Sequence, residues 1–180
     1  MALLTLDPRT SPSGQGGVLA PRPASLRGQT LGIICNGLGN SAIMFDHLGA
    51  LLQERYDLAG FVKVVKGSVA VPPYPEQWLE ITDRATVAIT GFGGCGSCST
   101  RSLRDALDLE AAGIPATCLV HGALVPAVRA IAKFNGAPDY PIVTVGYPFD
   151  PTGHWNKDEC VELADQVADA LARRLAGRPA

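Results

Sequence analysis

Five short apolar runs rich in β-branched residues are separated, each time, by a stretch of helical spacing. This alternation constrains the fold more than any other feature of the chain. The runs are TLGIIC (30–35), FVKVVK (61–66), TVAIT (86–90), ATCLV (116–120) and PIVTV (141–145). Their length and composition suit buried strands. Between the first two, Phe45, Leu48, Leu52 and Tyr56 fall on one face of a helix over 42–56, with Ser41 placed to cap it. A short helix over 76–84 holds Trp78. Residues 99–112 are helical up to the stop at Gly113-Ile114-Pro115, and 123–134 form the next helix. Asn156, with Glu159 three residues on, is a capping-box start for a last helix that runs to about Leu175. Strands that alternate with helices pair in parallel through right-handed crossovers. The predicted fold is α/β, a three-layer sandwich with a mainly parallel sheet of about five strands, flavodoxin-like or Rossmann-like.

The predicted organisation is a flexible N-terminal arm over 1–29, rich in Pro, Gly, Ser and Arg, and a single α/β domain over 30–176. A 180-residue chain suits one domain with a sizeable core. A formal net charge of −2 marks no footprint for nucleic acid. No apolar run approaches the roughly 20 residues of a membrane span. The first residues lack the pattern of a signal peptide. The expected setting is cytoplasmic and thiol-reducing, and the expected partners are a small-molecule substrate and further copies of the chain. Five cysteines, an odd number, argue against a disulfide framework.

In open α/β sheets the ligand crevice lies at the carboxyl ends of the strands. The loops on that edge are 36–40, 66–75, 91–98, 121–124 and 146–156. The densest chemistry lies in TGFGGCGSCST (90–100). Cys95 and Cys98 are expected in a strand-to-helix turn, with the helix starting near Ser99. Helix amides with partial positive charge stabilise a thiolate there. Glycines at 91, 93, 94 and 96 let the backbone come close to a ligand. Three readings of the pair stand open. It is a reactive thiol with its resolving partner, half of a zinc site completed by His121 and His154, or small residues filling a tight turn. No nucleotide motif is complete in the loop.

At this loop the sequence resembles the UGSC family, named for a selenocysteine-or-cysteine, Gly, Ser, Cys motif that reads Cys95-Gly96-Ser97-Cys98 here. The similarity extends to LAPRPASLRGQTLGIICNG, to ATVAITGFGGCGSCSTRSLRDALDLEAAGIPATCLV and to FNGAPDYPIVTVGYP, about residues 19 to 148. The family is similar in turn to the selenoprotein B subunits of glycine, sarcosine and proline reductases, which attack carbon–nitrogen bonds reductively. The resemblance implies that Cys95 occupies the selenocysteine position and Cys98 that of the partner thiol. The chain departs from the family at Asn36-Gly37-Leu38-Gly39-Asn40, where Lys-Pro more often follows the glycine.

The expected function is a small-molecule enzyme with a covalent cysteine nucleophile. Its chemistry is thiol-dependent reduction or substitution at a carbon–heteroatom bond, with no cofactor beyond an external thiol reductant. The alternatives are a lyase, isomerase or cyclase without net redox change, and a redox-sensing or binding module. The catalytic candidates are Cys95, Cys98 and, as acid/base, His121, which directly follows the fourth strand. The substrate-binding candidates are Asn36, Gly37, Asn40, Lys66, Ser68, Ser97, Ser99, Tyr147 and His154. For Asn36 and Asn40 the alternative is turn formation, for Lys66 a solvated amine, and for His154 a surface histidine. Cys35, Cys118 and Cys160 read as core.

Overall fold

The computed structural model describes residues 19–177. Strands β1 (Thr30–Cys35), β2 (Gly60–Val65), β3 (Val87–Gly93), β4 (Ala116–His121) and β5 (Ile142–Val145) form one sheet in the order β2-β1-β3-β4-β5. Every pairing is parallel. The expected three-layer α/β architecture is present, and this strand order is the flavodoxin-like one.

Helices α1 (Ser41–Tyr56) and α5 (Lys157–Leu175) cover one face of the sheet. Helices α2 (Pro75–Arg84), α3 (Gly96–Ala111) and α4 (Val125–Phe134) cover the other. A single 3₁₀ turn, Gly122–Leu124, precedes α4. Both faces are covered, so the strands are near-continuously apolar, as parallel sheets require. Phe45, Leu48, Ile33, Ile89 and Leu163 build the first core, and Ile34, Ala88, Leu103 and Val128 the second. Asn156 caps α5 by accepting from the Glu159 amide at 2.9 Å, as its capping box predicts. Ser41 does not cap α1; Asn40 takes that position and Ser41 is buried in the first turn.

Of the arm expected over 1–29, only residues 19–29 are described, and these lie against the domain. The Ala20 amide and the Arg22 guanidinium donate to buried Glu110, and the Gly177 amide donates to the Pro23 carbonyl at 2.8 Å. No helix among the described residues is long and apolar enough to cross a membrane.

Candidate active site at the carboxyl edge of the sheet

The site begins with a boundary that the sequence misplaces. β3 continues three residues past Thr90, because Gly91 and Gly93 pair with Leu119 and Val120 of β4. α3 begins at Gly96, three residues before the expected Ser99. The turn between them shrinks to Gly94 and Cys95. Gly93 packs so closely on Val120 and Ser99 that a Cβ there has no room. Gly93, without a side chain, lets the end of β3 pass close beneath the helix start.

Cys95 is the N-cap of α3, and its Sγ accepts from the Cys98 amide at 3.1 Å. Cys98 lies inside the first turn rather than in the preceding loop. The two residues are joined as a disulfide with Cα atoms 5.0 Å apart. Their exposure differs: Cys95 is half-buried, whereas Cys98 has no exposed surface. The exposed Ser97 hydroxyl lies 3.6 Å from Cys95 Sγ. Ser99 is buried, and its hydroxyl donates to the Cys95 and Gly96 carbonyls. It braces the turn.

The loops after β1 and β5 close around this turn. A Cβ on Gly94 would overlap the Pro151 carbonyl oxygen and crowd Leu38 and Phe92. Phe92 meets Trp155 edge to face at 4.8 Å between centroids. Gly94→Ala is therefore expected to push these loops apart, at a cost of about 1–3 kcal/mol. Thermal melting and the rate of Cys95 alkylation check it; an unchanged Tm with unchanged alkylation would remove Gly94 from the packing argument.

Asn36 is buried and fully committed: its Nδ2 donates to the Phe92 carbonyl at 2.7 Å, and its Oδ1 accepts from the Phe92 and Leu38 amides. It clamps the β1 loop to β3, the turn-forming alternative. Gly37 adopts φ 77° in the same loop. Asn40 Nδ2 donates to the Trp155 carbonyl at 2.7 Å, which ties the β1 loop to the β5 loop.

His121 ends β4, one residue beyond the pairing of Val120 with Gly93. It is 1% exposed. Its Nδ1 accepts from the Ala123 amide at 3.2 Å, and its Nε2 has no hydrogen-bond partner among the described residues. The exposed Tyr147 ring stands edge-on to the imidazole at 4.9 Å. His154 is exposed on the β5 loop, with Nδ1 2.7 Å from Thr152 Oγ1. Sequence reasoning missed Asp150. Its Oδ1 accepts from both the amide and the hydroxyl of Thr152 at 2.7 Å. These bonds, with lesser help from His154 and His121, hold its carboxyl below the usual range. The signal was the Asp-x-Thr spacing of an Asx turn.

Two candidates lie elsewhere. Ser68 is exposed on the loop after β2, two strands from β3. Lys66 is neither solvated nor free: its Nζ donates to Asp105 of α3 at 2.6 Å and to the Val71 carbonyl at 2.8 Å, with both charged side chains 1% exposed. Arg101 binds the other Asp105 oxygen. Burial pushes the Lys66 ammonium down and the Asp105 carboxyl up, each toward its neutral form. Asp105→Asn should cost about 3 kcal/mol at neutral pH, because Lys66 loses its partner. That loss removes a charge that raises the Lys66 pKa, so it falls further below 10.5. Between the lowered value and 10.5 the unfolded chain binds more protons than the folded one. The variant's stability should therefore rise with pH through that window. Urea unfolding from pH 7 to 10 checks the sign; a flat or falling profile would contradict it.

Cys118 and Cys160 are core residues, as expected, and so is Cys35. Burial pushes the Cys118 thiol up to about 12 and raises the other two, so none is an activated thiol. Among the described residues, no three His, Cys, Asp or Glu side chains cluster in a way that could hold a metal ion.

A flavodoxin-like sheet order with a Cys-x-x-Cys pair at the start of the helix after its third strand defines an α/β protein with a cysteine pair at the carboxyl edge of its sheet. The chain belongs to the UGSC family, which matches it over residues 4–177, nearly its whole length. No curated protein matches it.

Proposed function

We propose that the chain is an enzyme that attacks a small molecule with the Cys95 thiolate and resolves the adduct with Cys98. The observation that carries this reading is the asymmetry of the bonded pair. Cys95 is half-exposed at the N-terminus of a 16-residue helix, and its partner is buried one turn inside. The first-turn amides favour the anionic sulfur. The resemblance to reductase selenoprotein B subunits, expected from the sequence motif, points in the same direction of chemistry.

Reduction proceeds in two steps. The Cys95 sulfur displaces a heteroatom group from carbon; a C–S bond forms, and the group leaves with its electron pair. The Cys98 sulfur then attacks the Cys95 sulfur; an S–S bond forms, the C–S bond breaks, and its electron pair departs with carbon, which takes a proton. The substrate gains two electrons and the thiol pair loses two. An external dithiol restores the pair. Carbon leaving with an electron pair requires a neighbouring carbonyl to hold it as an enolate. The substrate class is therefore an α-substituted carbonyl compound.

An α-halo ketone tests this. The reduced enzyme should release one equivalent of dehalogenated ketone without dithiothreitol and many with it, above the rate without protein. Unchanged multiple turnover without dithiol would instead indicate addition and elimination at Cys95, as in a lyase or isomerase. Rapid alkylation of Cys95 with no ketone released would indicate a thiol sensor.

A further inference from the structure

The crevice holds two histidines whose ring nitrogens are constrained by different neighbours. At His121, Nδ1 faces the Ala123 amide, which can only donate, at 3.2 Å. A proton on Nδ1 would oppose that N–H, so the ring proton resides on Nε2. Nε2 is buried and has no partner among the described residues, which leaves an unused N–H at the strand edge. A buried donor without a partner is costly, and a functional site is where such a group is retained.

At His154 the order of protons is reversed. Asp150 Oδ1 accepts the Thr152 hydroxyl at 2.7 Å. Asp150 is ionised at neutral pH, since its pKa is held low chiefly by the Thr152 bonds. A hydroxyl turned toward His154 instead would leave two oxygen lone pairs facing one another at this distance. The single Thr152 hydroxyl proton is thus committed to Asp150. Thr152 Oγ1 must accept from His154, 2.7 Å away, so His154 carries its proton on Nδ1 and presents a lone pair at Nε2.

We infer that the site divides its acid–base work between two histidines locked in opposite tautomers, His121 as a fixed Nε2–H donor and His154 as the base, oriented by Thr152 and Asp150. This rests on the thiol chemistry proposed above. His154 accepts the proton lost by a thiol as it attacks, and the resulting imidazolium is balanced by Asp150 through the Thr152 hydroxyl. Protonating His121 at Nδ1 would break the Ala123 bond, so that amide holds the ring as an Nε2–H donor. A neutral imidazole N–H polarises a carbonyl oxygen and stabilises the enolate as the C–S bond breaks. Thr152 and Asp150 are positioning residues. Nε2 is buried, so a neighbouring side chain must shift for a substrate to reach it; the Tyr147 ring stands edge-on to the imidazole.

The chain has three histidines, so ¹⁵N–¹H spectra of its imidazoles can be assigned with single His→Gln variants. The full-length protein at pH 7.5 should show Nε2–H at His121 and Nδ1–H at His154. Thr152→Val should remove the Nδ1–H majority at His154 and leave His121 unchanged. An Nε2–H majority at His154 in the wild type, or no response to Thr152→Val, would overturn the assignment. Turnover of the α-halo ketone separates the roles. His154→Gln should slow ketone release about 10²-fold at pH 7 and recover as the pH rises past the free thiol range. His121→Gln should slow it by a similar factor at every pH. Identical pH profiles for the two variants would refute the division of labour. The spectra do not depend on turnover, so failure of the thiol chemistry and failure of the tautomer assignment are separately visible.

Discussion

Cys95→Ser should abolish both adduct formation and turnover, a loss on the order of 10⁴-fold or more, as for the removal of other covalent nucleophiles. Cys98→Ser should behave differently. It should still form the adduct with an α-halo ketone, at a rate within about tenfold of the wild type, and then stall. Intact-mass spectrometry after a short exposure reads both outcomes. The order of the thiols rests on access: Cys95 is half-exposed beside Gly96, whereas Cys98 is enclosed. The opposing consideration is that Cys98 sits deeper in the positive end of α3. The Cys95 sulfur already accepts the Cys98 amide at 3.1 Å, so the cap position also receives that stabilisation. An adduct on Cys98 in the Cys95→Ser variant, with none on Cys95 in Cys98→Ser, would reverse the assignment.

The second large effect concerns stability. Glu110→Ala should lower stability by about 5 kcal/mol and the Tm by about 10 to 20 °C. Glu110 is buried, and its carboxylate accepts from the Ala20 and Ala116 amides and from two nitrogens of Arg22, with Tyr140 Oη 3.3 Å away. Removal strands the Arg22 guanidinium, which is 13% exposed, and leaves buried donors unsatisfied. The double variant Arg22→Met/Glu110→Met should lose less than Glu110→Ala alone, because no charge is left buried without a partner. Calorimetry of the three proteins settles this; a double variant less stable than Glu110→Ala would show that the pair is worth more than its isostere.

The elements were legible wherever apolar periodicity decides them. β1 and α1 begin and end within one residue of expectation, because Leu31, Ile33, Phe45 and Leu48 all point into one core. The β3–α3 junction was not legible. Glycine suggests a loop to any reading of local preference, yet here Gly91 and Gly93 are strand residues selected by the close approach of β4 and α3. Tertiary packing overrode propensity at the junction that holds the cysteine pair. The thiol pair, His121 and His154 could be placed on the carboxyl edge of the sheet because the strand ends were legible. Asp150 did not stand out, because what distinguishes it is its bonding to Thr152 and not any spacing of acids. Lys66 was misjudged because its partner, Asp105, lies 39 residues away on a helix of the opposite layer.

The first core joins the earliest helix of the fold to the latest, with α1 packed along α5 and Leu163, Val167 and Leu171 on the helix that lies over β3, β4 and β5. This arrangement sets a schedule for synthesis. While the ribosome is still making α5, that face of the sheet is covered by α1 alone, and Leu119, Val143 and Val145 lack their helix. Nascent chains arrested before Lys157 should therefore bind holdase chaperones and resist compaction. Chains extended past Gly177 far enough to clear the exit tunnel should release them, since α5 is then complete and the Gly177 amide can reach the Pro23 carbonyl.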